Sequence, residues 1–311
     1  MTRWLKGIAH LSAFEAIEQI KNAKDEEEKK RLIQKEWERR KKIRQMTNMM
    51  VGHAVSLNIE RPDPVDPKPR IEVKGLTVRS VDGIVKLDDV SFTIEDGEMV
   101  GYIGPNGAGK SSTIKILSGI LTPDCGECRI NGRVPWENRI RHVAEIGVVF
   151  GQRSQLWWDV PVADSFELLK DIYQIDEALY RKNRDELTEL LNLSQLLRTP
   201  ARQLSLGQRM RCEIAASLLH SPKLLFLDEP TIGLDAVSKL AVRDFIKQLN
   251  AARHTTVILT THDMQDIEAL ASRILLIGKG KILMDGTLDD IRKGGESIDE
   301  TVASLYQQYD I

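Results

Sequence analysis

The chain has 311 residues, 41% of them hydrophobic and 29% charged, with a formal net charge of −2. That supports one large domain or two small ones with a sizeable core, and near-neutrality excludes a global electrostatic pull toward nucleic acid or an anionic membrane. No run approaches the roughly 18 consecutive apolar residues of a membrane-crossing helix, and the start, Met1-Thr2-Arg3-Trp4-Leu5-Lys6, lacks the apolar core and cleavage site of a secretory leader, so the expected compartment is the cytosol.

Residues 1–60 are expected to form a charged helical extension. Asp25-Glu26-Glu27-Glu28-Lys29-Lys30-Arg31 and Glu38-Arg39-Arg40-Lys41-Lys42 set opposite charges three or four residues apart. Trp4, Ile8 and Leu11 share a helical face, but Ile17 and Ile20 drift off it. The pattern fits a solvated helix or a docking element for a partner subunit. Four prolines in residues 61–70 predict a stiff linker of polyproline type, and the domain boundary is placed there. The charge divides at the same point, with 16 basic against 11 acidic residues in 1–70 and a net negative remainder.

From Ile71 the pattern changes. Ile71, Val73, Leu76 and Val78 read as a strand, Asp82-Gly83 as a hairpin turn, and Val90 to Ile94 as further β-structure. Met99-Val100-Gly101-Tyr102-Ile103 is a buried strand leading into Gly104-Pro105-Asn106-Gly107-Ala108-Gly109-Lys110-Ser111-Ser112, which fits G-x-x-x-x-G-K-[ST]. The glycines let the backbone curl around a phosphate chain with N–H groups pointing inward. Lys110 can reach the β- and γ-phosphates, and the Ser111 hydroxyl suits Mg²⁺, which favours oxygen ligands. Thr113-Ile114-Lys115-Ile116-Leu117 reads as the start of a helix whose positive end faces the same phosphates.

Cys125-Gly126-Glu127-Cys128 has C-x-x-C spacing, but no second pair exists to complete a zinc site, so the thiols read as incidental residues around a glycine turn. Ile146 to Phe150, Leu224 to Leu227, Val257 to Leu259 and Ile274 to Ile277 read as short buried strands, with residues from about 162 to 220 largely helical. Strands crossed by helices imply a parallel α/β sheet with a helical insertion. Trp157-Trp158 beside that insertion either fill the local core or anchor another protein, since Trp is enriched at interface hot spots. Leu224-Leu225-Phe226-Leu227-Asp228-Glu229 is an apolar strand ending in two acids. Asp228 is then delivered to a metal beside the phosphate loop. Glu229, on the other side of an extended backbone, is free to take a proton from water.

Leu204-Ser205-Leu206-Gly207-Gln208 before a helix resembles the signature of ATP-binding-cassette (ABC) ATPases, in which glycine usually stands where Leu206 does. Further residues resemble the same family. Gln152 matches its Mg²⁺- and water-sensing glutamine, Gly233-Leu234-Asp235 its dimer-interface loop, His262 its γ-phosphate switch histidine, and Asp228 and Glu229 its metal aspartate and catalytic glutamate. The resemblance covers residues 71 to the C-terminus. It implies an α/β phosphate-loop NTPase core with a RecA-like parallel sheet, an antiparallel β subdomain, and a helical subdomain at about residues 152–220. It also implies hydrolysis of ATP with Mg²⁺ held by Ser111, Gln152 and Asp228. Alone, Ser205 would read as a helix cap; in this family Ser205, Gly207 and Gln208 form an anion site facing the nucleotide of a second subunit, with Asp235 at the interface. One chain then carries half of each site, and a homodimer is expected.

The residues after the phosphate loop and around Thr231-Ile232-Gly233 look most like ATPases paired with separate ABC-2 export-type permeases. The resemblance places the chain on the cytoplasmic face of the membrane, peripheral through the permease, with no direct nucleic-acid contact. The alternative is a soluble ATPase of the same superfamily acting on ribosomes or nucleic acid. The early β segment lacks the adenine-stacking aromatic common in the family, which leaves Val81 or Val85 to pack on the base.

Overall fold

A computed structural model describes residues 69–80, 82–151, 153–291 and 298–308. The expected N-terminal helix, most of the proline-rich linker, Val81 and Gln152 lie outside the described residues. Two sheets organise the rest. The smaller is antiparallel, with strand order β2-β1-β4, built from β1 (Pro69–Arg79), β2 (Val85–Glu95) and β4 (Cys125–Ile130). The expected hairpin turn joins β1 to β2, with Gly83 at φ +78° and its N–H donating to Ser80 O at 2.8 Å. β1 begins at Pro69, two residues earlier than expected, and a proline at the first strand position removes no interior ladder bond. The C-x-x-C pair sits in β4, not in a turn: Cys125 is exposed and Cys128 is buried, its thiol pushed up to about 12 by burial.

The larger sheet has the order β5-β6-β7-β3-β8-β9. Its strands are β3 (Met99–Ile103), β5 (Ile146–Phe150), β6 (Leu224–Asp228), β7 (Thr256–Thr260), β8 (Arg273–Gly278) and β9 (Lys281–Thr287). All its pairs are parallel except β8 with β9. The parallel strands are short apolar runs because both faces are covered. Along β6, Leu224 and Phe226 pack with the antiparallel sheet and α1 (Lys110–Leu117), while Leu225 and Leu227 pack with the helices of the other face. Those helices include α3 (Val162–Ile172), α4 (Glu177–Leu190), α5 (Leu206–Leu218), α6 (Ala236–Arg253) and α7 (Met264–Leu270); α2 (Arg139–Val143) precedes β5. The first three and a short 3₁₀ turn at Ala201–Gln203 form the expected helical insertion between β5 and β6.

The connections after β3, β6 and β7 leave from the carboxyl ends of adjacent parallel strands, the edge where open α/β sheets bind ligands. α1 begins at Lys110, three residues before the expected start, so Lys110, Ser111 and Ser112 lie in its first turn, at the positive end of the helix dipole.

Candidate active site

The loop between β3 and α1 is shaped by two glycines. Gly107 has φ +81° and Gly109 φ +114°, conformations a side chain disfavours. A Cβ on Gly109 would also stand 2.6 Å from Leu87 Cδ2 and 2.7 Å from Lys86 O. Ala108 N–H donates to Pro105 O at 3.2 Å, and Ala108 O accepts from Gly280 N–H at 3.0 Å, which ties the loop to the β8–β9 turn. Lys110 is only 5% exposed, and its ammonium donates to Gly104 O at 2.5 Å and Pro105 O at 3.0 Å. Burial holds that ammonium below the usual lysine range, partly offset by the charges of Glu229 and Asp228. The arrangement is a curled backbone around a cation.

A cavity of about 440 Å³ opens beside this loop, and Asn106, Ser111, Asp228, Glu229 and His262 share its lining. The parallel register of β6 and β7 sets Asp228 beside Thr260, whose hydroxyl donates to Asp228 Oδ1 at 2.6 Å. The strand geometry expected at Glu229 does not hold. Glu229 leaves β6 at φ +55°, held there by its N–H donating to Thr260 O at 3.0 Å and to Thr260 Oγ1 at 3.1 Å. A left-handed non-glycine residue costs about 1–3 kcal/mol and persists only where neighbours enforce it. The twist brings Glu229 Oε1 to 2.7 Å from His262 Nε2, with both side chains partly exposed to the cavity. Acid and imidazole are thus paired at the mouth of the loop.

Ser205, Gly207, Gln208 and Asp235 are not among the residues lining that cavity. Ser205 caps α5: its hydroxyl accepts from Gln208 N–H at 3.2 Å, while Gln208 Oε1 accepts from Ser205 N–H at 2.9 Å. The hydroxyl keeps its own proton to donate elsewhere. Gly207 stands in the first turn of α5. It is buried, and a Cβ there would stand 2.6 Å from Ser238 Oγ. Ser238 in turn donates through N–H and hydroxyl to Asp235, which caps α6 and whose carboxyl these bonds hold below the usual range. Leu206 fits in place of the usual glycine because Gly233 opposite it has no side chain. The signature segment and the Asp235 loop are therefore packed on each other within one chain.

Trp157 and Trp158 are 58% and 51% exposed, which decides between core and surface in favour of surface. The Arg209 guanidinium lies 5.6 Å from the Trp158 ring, and Arg202 N–H donates to Trp158 O at 3.0 Å. Of the residues suggested for adenine, Val85 and its neighbour Ile84 are exposed.

Hard oxygen donors for Mg²⁺ are present in the Ser111 hydroxyl and the Asp228 carboxylate, residues that both line the cavity, and the cradle closed by Gly107 and Gly109 suits a phosphate chain, so the residues fit both groups. Thr260 was given no role on sequence. The cross-strand pairing that sets its hydroxyl between the Asp228 carboxylate and the Glu229 backbone N–H is the signal that identifies it.

Residues 87–232 match the model of the ABC transporter family. The chain is 32% identical to an uncharacterized ABC transporter ATP-binding protein, YhcH, of Bacillus subtilis, over 77% of this chain and 75% of that protein. It is 35% identical to the daunorubicin resistance ATP-binding protein DrrA3 of Streptomyces coeruleorubidus, over 72% of this chain and 73% of that one. Among solved structures it resembles a dimeric ATP-binding cassette in a post-hydrolysis state bound to ADP and Pi, with a TM-score of 0.64 at 27% identity over 70% of this chain and 98% of that chain.

Proposed function

The chain belongs to the ABC transporter family as one of its ATP-binding proteins, and on that premise we propose that two copies close on Mg-ATP, hydrolyse it, and drive export through a separate ABC-2-type permease. The observation that carries the hydrolytic reading is the cavity shared by Ser111, Asp228, Glu229 and His262 beside the phosphate loop. Lys110, with residues 104–112, holds the phosphates by charge and backbone N–H groups. Ser111 and Asp228, with Gln152, hold the Mg²⁺, which when bound neutralises charge on the phosphates. Glu229 accepts the proton of the attacking water, and His262 orients that carboxylate and contacts the γ-phosphate. Ser205, Gly207, Gln208 and Asp235 serve the partner's nucleotide; their absence from the lining of this chain's own cavity supports that reading. Hydrolysis of ATP by the purified chain is expected to need Mg²⁺ and to stop on addition of EDTA. Equal rates with and without the metal would sink the assignment of Ser111 and Asp228.

The exposed tryptophans support a docking surface for the permease, and the drug-resistance names among the relatives support export. No helix among the described residues is long and apolar enough to cross a membrane, consistent with attachment to its cytoplasmic face through that partner. Replacing Trp157 and Trp158 together by Ala is expected to leave the basal ATPase within about twofold of the parent while abolishing stimulation by the permease, because surface substitutions away from special features change little. An equal fall in basal and stimulated rates, measured by phosphate release, would make the pair part of the fold.

A further inference from the structure

One buried carboxylate joins the three segments that carry the proposed chemistry. Asp266, on α7, has no solvent exposure, and three donors converge on it. Thr231 Oγ1 donates to its Oδ2. Thr261 Oγ1 donates to the same oxygen at 2.9 Å. Arg243 Nε donates to Oδ1 at 2.5 Å. Thr231 stands two residues after Glu229, Thr261 immediately precedes His262, and Arg243 lies on α6, the helix that Asp235 caps. Thr231, Thr261 and Arg243 are themselves buried. Asp263 repeats the theme one turn away: it accepts from Lys239 Nζ at 2.6 Å and from Arg243 Nη2 at 3.3 Å, so Arg243 spans both carboxylates.

We propose that Asp266 is a positioning residue for hydrolysis: it fixes the Glu229 segment, the His262 segment and the Asp235 helix in one mutual geometry, so that the Glu229–His262 pair is assembled only while the interface helix is in register. This rests on the assignment of Glu229 and His262 above. A carboxylate suits the role because it presents acceptors only, and three donors meet it. A low-dielectric surrounding strengthens each of those bonds and makes an unmatched donor costly. The donors that meet the Asp266 carboxylate come from Thr231, Thr261 and Arg243, none of them in the phosphate loop, so its loss should act on turnover and not on nucleotide capture.

The test uses the full chain and four variants. Asp266→Asn keeps the shape but replaces an acceptor by an amide donor, which must face one of the three donors. Thr231→Val and Thr261→Val each delete one hydroxyl at nearly constant volume, and Thr231→Ser restores it. Asp266→Asn is expected to lower kcat by up to about 100-fold, the scale of a small misplacement of reacting groups, with the KM for ATP and the affinity for a fluorescent ATP analogue within twofold. Each Val variant should lower kcat several-fold, with Thr231→Ser close to the parent. Glu229→Gln is run beside them. If Glu229→Gln spares hydrolysis, the catalytic assignment itself is wrong. If Glu229→Gln abolishes it while both Val variants keep the parental kcat, the positioning role alone is overturned. A fall in kcat that tracks a parallel loss of nucleotide affinity and melting temperature overturns it too, since that is the signature of a merely structural bond. Should Asp266→Asn fail to fold, the Val and Ser variants carry the same decision.

Discussion

Glu229→Gln is expected to bind ATP as well as the parent, to hydrolyse it at least about 100- to 10,000-fold more slowly, and to accumulate an ATP-bound dimer. The magnitude is that of removing a positioned general base. Gln keeps the length of the side chain and an oxygen that can accept from His262 Nε2, so the 2.7 Å contact can persist. The backbone at φ +55° sees no change in branching. What is lost is the negative charge and the capacity to take a proton. The phosphate loop and Lys110 lie on a separate segment, so capture of nucleotide is spared. If Ser205 completes a second chain's site, blocked hydrolysis leaves the closed pair nothing to release it. Light scattering with ATP and Mg²⁺ reads the dimer and phosphate release reads turnover. A variant that stays monomeric under those conditions would refute the shared-site reading.

Lys110→Ala has the second largest effect, and it falls on a different quantity. A charge-assisted hydrogen bond contributes about 1.5–3 kcal/mol, so ATP affinity should fall roughly 10- to 100-fold. The Lys110 ammonium donates to Gly104 O and Pro105 O and feels the charges of Asp228 and Glu229 at longer range. Removing it also removes a desolvated charge, so the melting temperature without ligand should move little while the stabilisation conferred by ATP disappears. Titration of a fluorescent ATP analogue with a parallel melting curve separates the two. Unchanged affinity would strip Lys110 of its phosphate role.

The parts of the site visible in the sequence are those whose chemistry is local. A phosphate loop needs its glycines, lysine and hydroxyl in one short run, and an apolar strand ending in Asp228 announces both a buried strand and a delivered carboxylate. What escaped depends on contacts between distant segments. The twist at Glu229 is enforced by Thr260, 31 residues away. The burial of Gly207 is set by Ser238. Asp266 gains its meaning only where three segments converge. β4 and β9 were missed because they lack the apolar run of the inner strands: β4 is mostly exposed, and β9 is half-buried at a sheet edge. The antiparallel hairpin, by contrast, was legible because Asp82-Gly83 punctuates two alternating segments.

The left-handed turn at Glu229 has an evolutionary consequence. Glycine would occupy φ +55° without steric cost, whereas glutamate holds it against a penalty of about 1–3 kcal/mol. Heat resistance and turnover therefore pull this position in opposite directions. On the catalytic role proposed for Glu229, a screen for thermal endurance alone would favour Glu229→Gly and select cassettes that bind nucleotide but hydrolyse it slowly.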